Sequence, residues 1–171
     1  GGSIFGDRIR MNDLSLDPGV FIRSMGTRGH LGGLSEATKG AIKILDVYGA
    51  DYIFVETVGV GQSEVEIVRN ADTTVMVMVP GLGDDIQAIK AGIMEIGDVF
   101  VINKSDRDGA DRTKAEIEMM LDFSSRERRP TVNMAVAVDN KGIDVVIDEV
   151  MKHRQYRIET KGFERQRIES S

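Results

Sequence analysis

The sequence contains no cysteine and only two histidines. Without cysteine, neither a disulfide framework nor a cysteine-based metal site can form, and two histidines are too few for a structural zinc site. The longest apolar stretch, around residues 74–79, falls far short of the roughly 20 residues that a transmembrane helix needs. The chain does not open on a charged segment followed by an apolar one, so we expect a cytoplasmic protein that does not enter a membrane.

Basic residues are outnumbered by acidic ones, and the net charge of the 171 residues is −6. This balance argues against a nucleic-acid-binding protein. Residues 152–171 are an exception, because six basic side chains stand there against three acidic ones. We expect this tail to be a solvated helix or a frayed terminus, with His153 in solvent; a subunit contact is the functional alternative.

Four short apolar runs predict buried strands: 52–56 (YIFVE), 73–79 (TTVMVMV), 99–103 (VFVIN) and 132–138 (VNMAVAV). The lack of strict alternation in these runs is typical of strands covered on both faces. Segments with helical spacing accompany them, at 34–48, 86–96, 117–121 and 143–151. The alternation predicts one α/β domain with a doubly wound, mostly parallel sheet, whose ligands bind beyond the carboxyl ends of the strands.

The tetrapeptide Asn103-Lys104-Ser105-Asp106 follows the third of these runs. The Asp106 carboxylate only accepts hydrogen bonds, so it can pair with the adjacent N–H groups on the N1/N2 edge of guanine, a pair that adenine does not offer. The Asn103 amide can serve another edge of the base, and the stem of Lys104 can cover its face. A helix-capping turn is the structural alternative, but the position after a buried strand favours guanine recognition.

Residues 56–61 (ETVGVG) follow the first run. In phosphate-transferring NTPases a carboxylate at such a position holds magnesium, and a nearby glycine lets its backbone N–H reach the terminal phosphate. Glu56 and Gly59 can take these roles; a plain strand-to-helix turn is the alternative. Asp7, within residues 6–11 (GDRIRM), is a candidate for a second carboxylate beside the metal, with a solvated salt bridge to arginine as its alternative.

These motifs belong to a longer pattern. The chain resembles the methylmalonyl-CoA mutase-associated GTPases, a family of cobalamin chaperones with an older label, lysine/arginine/ornithine transport system kinase. The resemblance covers residues 1 to about 151 and includes GGSIFGDRIRM, TRGHLGG, ETVGVGQSE, PGLGDDIQAIKAG and NKSD. It implies an α/β domain of the P-loop GTPase type that binds GTP or GDP together with Mg²⁺.

The resemblance also implies a role for each matching nucleotide-side segment. Residues 7–33 match the first switch, in which Asp7 lies on the magnesium side, and 56–64 match the second, which Glu56 opens. Residues Asn103, Lys104 and Asp106 match the base-recognition motif. The GTPase domain would then span residues 1–151, with 152–171 as a charged C-terminal extension.

Partners follow from the resemblance as well. Residues 80–92 match a third switch that signals to a cobalamin-dependent acyl-CoA mutase, and the candidate contact residues are Gly83, Asp84, Asp85, Gln87 and Lys90. A homodimer is also implied, with the tail at 152–171 as a candidate contact. The resemblance places the protein in the cytoplasm or, in a eukaryote, in the mitochondrial matrix.

The chain departs from the family pattern in two ways. The P-loop, GxxGxGKS, precedes GGSIFGD in the family and is not found here; without its backbone N–H groups and lysine, we expect weak phosphate binding and little catalysis from this chain alone. Val60 also stands where many GTPases have a glutamine that positions water, and Gln62 lies two residues further on. Slow hydrolysis, accelerated by a partner, is the expectation.

The sequence therefore leaves three hypotheses. The first is a GTPase whose nucleotide cycle gates cofactor loading or protection of a cobalamin-dependent mutase, with Gly59 and Gln62 as its catalytic candidates. The second is a non-catalytic fragment that binds a mutase or a dimer partner without nucleotide. The third, from the older family label, is an ATP-dependent transport-system kinase.

Overall fold

The computed structural model describes residues 12–26, 31–57, 66, 68–81 and 93–169. The chain divides into two compact units, Gly1–Glu56 and Thr57–Ser171. Of the two histidines, His30 lies outside the described residues, as does most of the helix predicted for 86–96.

The described part of the first unit contains two helices, α1 (Asn12–Ser15) and α2 (Leu31–Val47). The second of these confirms the helix predicted from the apolar spacing at 34–48. Gly49 ends α2 in the left-handed region at φ 87°, and the N–H of Ala50 bonds to the Leu45 carbonyl at 3.0 Å. Glycine adopts this conformation without a steric penalty, which is why it so often follows the last turn of a helix.

The strand predicted for 52–56 is wrong in this structure. The segment has no regular secondary structure, and its large side chains face solvent, with Tyr52 64% and Phe54 92% exposed. The apolar residues predicted burial, but a strand also needs a neighbour to accept and donate its backbone hydrogen bonds. The described part of the first unit contains no strand that could serve as this neighbour.

The second unit is built on a parallel sheet of three strands in the order β1 (Val75–Met78), β2 (Val99–Ile102) and β3 (Thr131–Met134). The α-helices in the described part of this unit include α3 (Ile93–Ile96), α4 (Ala110–Asp122) and α5 (Ile143–Glu169). The strands predicted at 73–79 and 99–103 and the helices predicted at 117–121 and 143–151 are thereby confirmed.

Every side chain of β2 is buried, because helices cover both faces of the sheet. On one face Phe100 and Ile102 join a core that includes Ile117 and Leu121 of α4. On the other face Val99 and Val101 pack beneath α5, against three of its residues, Ile143, Val146 and Val150. Alternate residues of one strand thus serve two helix layers, and the predicted doubly wound α/β fold is confirmed.

The fourth predicted strand, at 132–138, ends four residues earlier than expected. Strand β3 stops at Met134, and Ala137–Asp139 form a 3₁₀ helix. Val136 lies between the two and pairs with Lys141 in an isolated antiparallel bridge. The apolar residues continue past Met134 because Ala135 and Val136 are still buried, although the chain has already left the sheet.

His153 is buried, at 5% exposure, so the expectation that it lies in solvent is wrong. The ring of His153 contacts Asp98 through Nε2 at 3.2 Å and Thr73 Oγ1 through Nδ1 at 2.7 Å. Asp98 lies just before β2 and also accepts the N–H of Thr74 at 2.8 Å and a guanidinium hydrogen of Arg126 at 3.0 Å. A carboxylate that precedes the central strand therefore gathers three groups at the amino edge of the sheet, and Thr73 joins them through His153.

Helix α5 runs without interruption through residues 151 and 152, where we expect the GTPase domain to end. The predicted end of the GTPase domain at residue 151 remains a prediction, because a continuous helix neither marks nor excludes a functional boundary there. No helix in the described ranges combines the length and apolar character needed to cross a membrane.

The charge state of His153 should make stability depend on pH. Burial lowers the pKa of His153 from 6.5, with Arg128, Arg157 and Arg126 acting in the same direction and Asp98 opposing them. Well above pH 6.5 the ring is neutral in both the folded and the unfolded chain, so its titration does not change the free energy of unfolding. As pH falls below that value, the unfolded chain takes up a proton that the folded protein resists, and the free energy of unfolding declines. We predict that the free energy of unfolding falls more steeply between about pH 7.5 and 5.5 in the wild type than in His153→Gln.

Urea unfolding at each pH measures this difference. Because other groups titrate in the same range, only the difference in slope between the two proteins reports on His153. Parallel curves would contradict the assignment of a neutral, buried imidazole.

Candidate nucleotide-binding site

The Asn103-Lys104-Ser105-Asp106 loop lies at the carboxyl edge of the sheet, directly after its central strand. The N–H of Asn103 bonds to the Met78 carbonyl at 2.8 Å, and the Ile102 carbonyl accepts the N–H of Ala135 at 2.9 Å. The loop thus begins between the ends of β1 and β3. In open α/β sheets this edge is where ligands bind.

Two sets of hydrogen bonds join this loop to the chain that leaves β3. Ser105 donates to the Ala135 carbonyl twice, from its backbone N–H at 3.1 Å and from its hydroxyl at 3.0 Å. The Asn103 side-chain oxygen accepts the N–H of Ala137 at 3.0 Å. A backbone N–H can only donate, so this contact fixes the amide with Oδ1 toward Ala137 and leaves the Nδ2 donors for another partner.

The turn presents its charged side chains to solvent. Lys104 lies in the left-handed region at φ 56°, and its carbonyl accepts the N–H of Arg107 at 3.0 Å. Lys104 and Asp106 are both exposed. Among the described residues the Asp106 carboxylate makes no hydrogen bond or ion pair, so both of its oxygens are available to a ligand's N–H groups.

The segment 135–139 belongs to this site, and sequence reasoning missed it. The structure brings its backbone to Asn103 and Ser105, although its side chains are alanine, valine and a single aspartate. These residues contribute through backbone groups, which leave no side-chain motif. The turn residues Asn140 and Gly142, at φ 54° and 76°, were the available signal that the strand had ended.

The other predicted site residues are less fully seen. Glu56 is exposed in the irregular segment at 52–56 of the first unit. The remaining predicted site residues lie outside the described residues. They are Asp7, Gly59 and Gln62, together with the third-switch residues Gly83, Asp84, Asp85, Gln87 and Lys90. The described ranges contain no group of three acidic or histidine side chains that could hold a metal ion.

The geometry first defines a class: a doubly wound α/β domain whose polar loops gather at the carboxyl edge of a parallel sheet, as in nucleotide-binding domains. The family model described as "Methylmalonyl Co-A mutase-associated GTPase MeaB" matches residues 1–171. The chain belongs to this family.

Its similar proteins come from archaea, bacteria and a mammal. A protein of Pyrococcus abyssi that is named as a presumed GTPase is 61% identical over 161 residues, which cover 91% of this chain and 50% of that protein. GTPase ArgK of Escherichia coli is 42% identical over 85% of this chain and 46% of its own length. The mouse protein named methylmalonic aciduria type A homolog, mitochondrial, is 39% identical over 95% of this chain and 40% of its own length. The chain spans about half the length of the curated relatives it matches.

Gly142 follows the 135–139 segment of the site and allows it to lie close to the end of β3. A Cβ at this position would collide with the carbonyl oxygen of Met134 and lie 3.1 Å from the Cα of Ala135. We predict that Gly142→Ala lowers the free energy of unfolding by about 1–3 kcal/mol more than Gly109→Ala does. Gly109 is a matched control, since its φ of 88° is equally unfavourable for alanine but a Cβ there meets no atom within 4 Å.

Urea unfolding of the two variants tests this prediction. Equal losses of stability would show that backbone conformation alone explains the requirement for glycine at 142. Such a result would contradict the claim that close packing at Gly142 holds the 135–139 segment in place.

Proposed function

We propose that the protein of which this chain forms part binds guanine nucleotides and hydrolyses GTP to GDP and phosphate. The observation that carries the proposal is the arrangement at the carboxyl edge of the sheet. Asn103 and Ser105 are engaged with the 135–139 loop, whereas the Asp106 carboxylate is exposed and has no partner among the described residues. Membership of a family described as a GTPase supports the same function.

In the proposed mode the base lies between the two loops. Asp106 accepts hydrogen bonds from the N1 and N2 groups of guanine, while the Nδ2 group of Asn103 offers donors to its other polar atoms. The stem of Lys104 covers one face of the ring. A carboxylate held at this point rejects adenine, because the N–H pair it must satisfy is absent there.

The proposal assigns the phosphate side to residues identified from sequence. Glu56 and Asp7 carry oxygen ligands of the kind that Mg²⁺ prefers, and the metal would neutralise charge on the phosphates. The backbone N–H of Gly59 would reach the terminal phosphate, and Gln62 would orient the attacking water. Val60 cannot orient water, so the intrinsic rate would be low until a partner completes the site.

We further propose that the nucleotide cycle gates cofactor loading or protection of a cobalamin-dependent acyl-CoA mutase. The family description, which associates these GTPases with methylmalonyl-CoA mutase, supports this assignment. Physically, contacts of the terminal phosphate and Mg²⁺ would hold residues 7–33 and 58–64 in one arrangement, and hydrolysis would release them. Residues 80–92 would carry the change to the mutase.

Base selectivity tests the first proposal. We predict that Asp106→Asn weakens GDP binding by about 10- to 100-fold, because the amide replaces one acceptor with a donor facing the guanine N–H groups. The same variant should gain affinity for xanthosine diphosphate, which carries an oxygen in place of the guanine amino group. Calorimetric titration in the presence of Mg²⁺, on the longest reading frame that contains this chain, measures both constants.

The matched control is Asp108→Asn, which removes an exposed carboxylate two residues along the same turn and outside the motif. It should leave both nucleotides unaffected. If ATP competes with GDP and Asp106→Asn leaves the preference unchanged, the kinase hypothesis replaces this one; if no nucleotide binds at all, the interaction-fragment hypothesis does.

Mutase binding tests the second proposal. We predict that a cobalamin-dependent acyl-CoA mutase binds the GDP form and the form with a non-hydrolysable GTP analogue with affinities that differ by about 5- to 150-fold, the usual range for coupled sites. Titration of each form with the purified mutase gives the ratio. Equal affinities would contradict gating, although base recognition would stand.

A further inference from the structure

A cavity of about 210 Å³ opens at the amino edge of the sheet, opposite the base-recognition loop. Its walls come from Asp98 before β2, from residues 126–128 between α4 and β3, and from one stretch of α5 that contributes His153, Tyr156 and Arg157. The parallel strands separate this edge from the nucleotide edge by four residues, or about 13 Å at the usual rise per residue. It is therefore a different place from the proposed nucleotide site.

Part of the lining is already committed to holding the fold together. Arg126 donates to the carbonyls of Met94 and Gly97 and pairs with Asp98 at 3.0 Å. Asp98 in turn accepts from His153 and from the backbone of Thr74. These side chains already have hydrogen-bond partners within the protein, so they have few donors or acceptors left for a ligand.

The remaining charged groups are not satisfied in the same way. The Nε of Arg157 is buried and has no hydrogen-bond partner among the described residues. The Arg128 guanidinium lies 5.6 Å from the centre of the Tyr156 ring, and neither arginine forms an ion pair within the described part of the chain. The Tyr156 hydroxyl donates to Glu127 at 3.4 Å, so that carboxylate is turned toward tyrosine.

The charge of the lining is positive. Three arginines face two carboxylates, and the pKa of His153 is lowered by burial, so its ring adds no charge near neutral pH. Buried donors of a charged group are normally paired, and the unpaired Nε of Arg157 shows that the described part of the chain does not satisfy this guanidinium fully. The tyrosine ring keeps the Arg128 guanidinium close to the cavity, so little of its freedom remains to be lost on binding.

We propose that this cavity binds a phosphate group, with Arg157 and Arg128 as its ligands. A guanidinium presents paired N–H donors that match the oxygens of a phosphate, and two of them match a dianion in charge. Both arginines line the cavity, so their guanidinium groups would donate to the phosphate oxygens there. The phosphate is either free or carried as a monoester by a small molecule.

Nuclear magnetic resonance of the ¹⁵N-labelled chain tests the site directly, because arginine Nε–H signals report on each guanidinium. Inorganic phosphate is titrated at constant ionic strength, with sodium chloride and sodium acetate as reference anions. We expect saturable shifts of the Arg157 and Arg128 signals with phosphate alone. Equal shifts with chloride or acetate, or no saturation, would overturn the proposal.

Two variants and a control locate the binding. Arg157→Gln and Arg128→Gln should each weaken phosphate binding by about tenfold, the loss expected for one charge-assisted hydrogen bond. Arg154→Gln removes an exposed arginine from the same helix that does not line the cavity, and should change the affinity less than about twofold. If phosphate binds all three variants alike, it binds elsewhere and the proposal is wrong.

Two further titrations identify the source of the phosphate and separate this site from the proposed function. Methyl phosphate that binds at least as tightly as inorganic phosphate indicates a monoester ligand, whereas binding of inorganic phosphate alone indicates the free ion. Asp106→Asn should leave these affinities unchanged, since it lies at the other edge of the sheet. Loss of phosphate binding in Asp106→Asn would contradict two independent sites.

Discussion

The second unit depends on the complete burial of β2 between two strands and two helix layers. Its backbone hydrogen bonds are satisfied on both sides in a regular parallel register, from Val99 to Ile102. Its side chains alternate between the α4 core and the α5 core. Since a buried peptide group without a partner costs as much as a lost hydrogen bond, the strand cannot slip without abandoning both cores. The residues at its two ends are thereby fixed in space.

The polar residues at the two ends of β2 differ in charge and in how their hydrogen bonds are satisfied. At the amino end Asp98 is a charged group in a largely buried setting, and it is offset by a guanidinium, an imidazole and a backbone N–H. A buried carboxylate is tolerated only with such compensation. At the carboxyl end the anchor is the neutral amide of Asn103, which accepts one backbone hydrogen bond. A neutral anchor leaves the charged Asp106 exposed, with no partner among the described residues.

The sequence predicts the layers of this fold better than it predicts hydrogen-bond partners. Apolar spacing correctly located α2, α4, α5, β1 and β2, because burial is what such spacing reports. The same signal failed at 52–56 and at 135–138, where apolar side chains occur without strand pairing. The expectation for His153 failed for another reason: the positive charge of residues 152–171 describes the tail as a whole, whereas one face of α5 packs on the sheet edge beside Asp98.

In the candidate site, too, sequence predicted one part of the structure and missed another. The position of the loop at residues 103–106 followed from sequence, since a motif placed after a central strand must emerge at the carboxyl edge. The contribution of Ala135 and Ala137 did not, because a backbone N–H or carbonyl is common to every residue and has no signature. Motif reasoning finds candidate ligand-binding side chains and overlooks the backbone that supports them.

The bonding around the base-recognition loop bears on how nucleotide state could be transmitted. Three hydrogen bonds join Asn103 and Ser105 to the chain beyond β3, and Gly142 keeps that chain close to Met134. Rearranging the loop would break these bonds together and expose the ends of β2 and β3. If the proposed function holds, guanine is therefore read by a rigid edge in every nucleotide state, and a response to the terminal phosphate must arise in segments that are not anchored to β2.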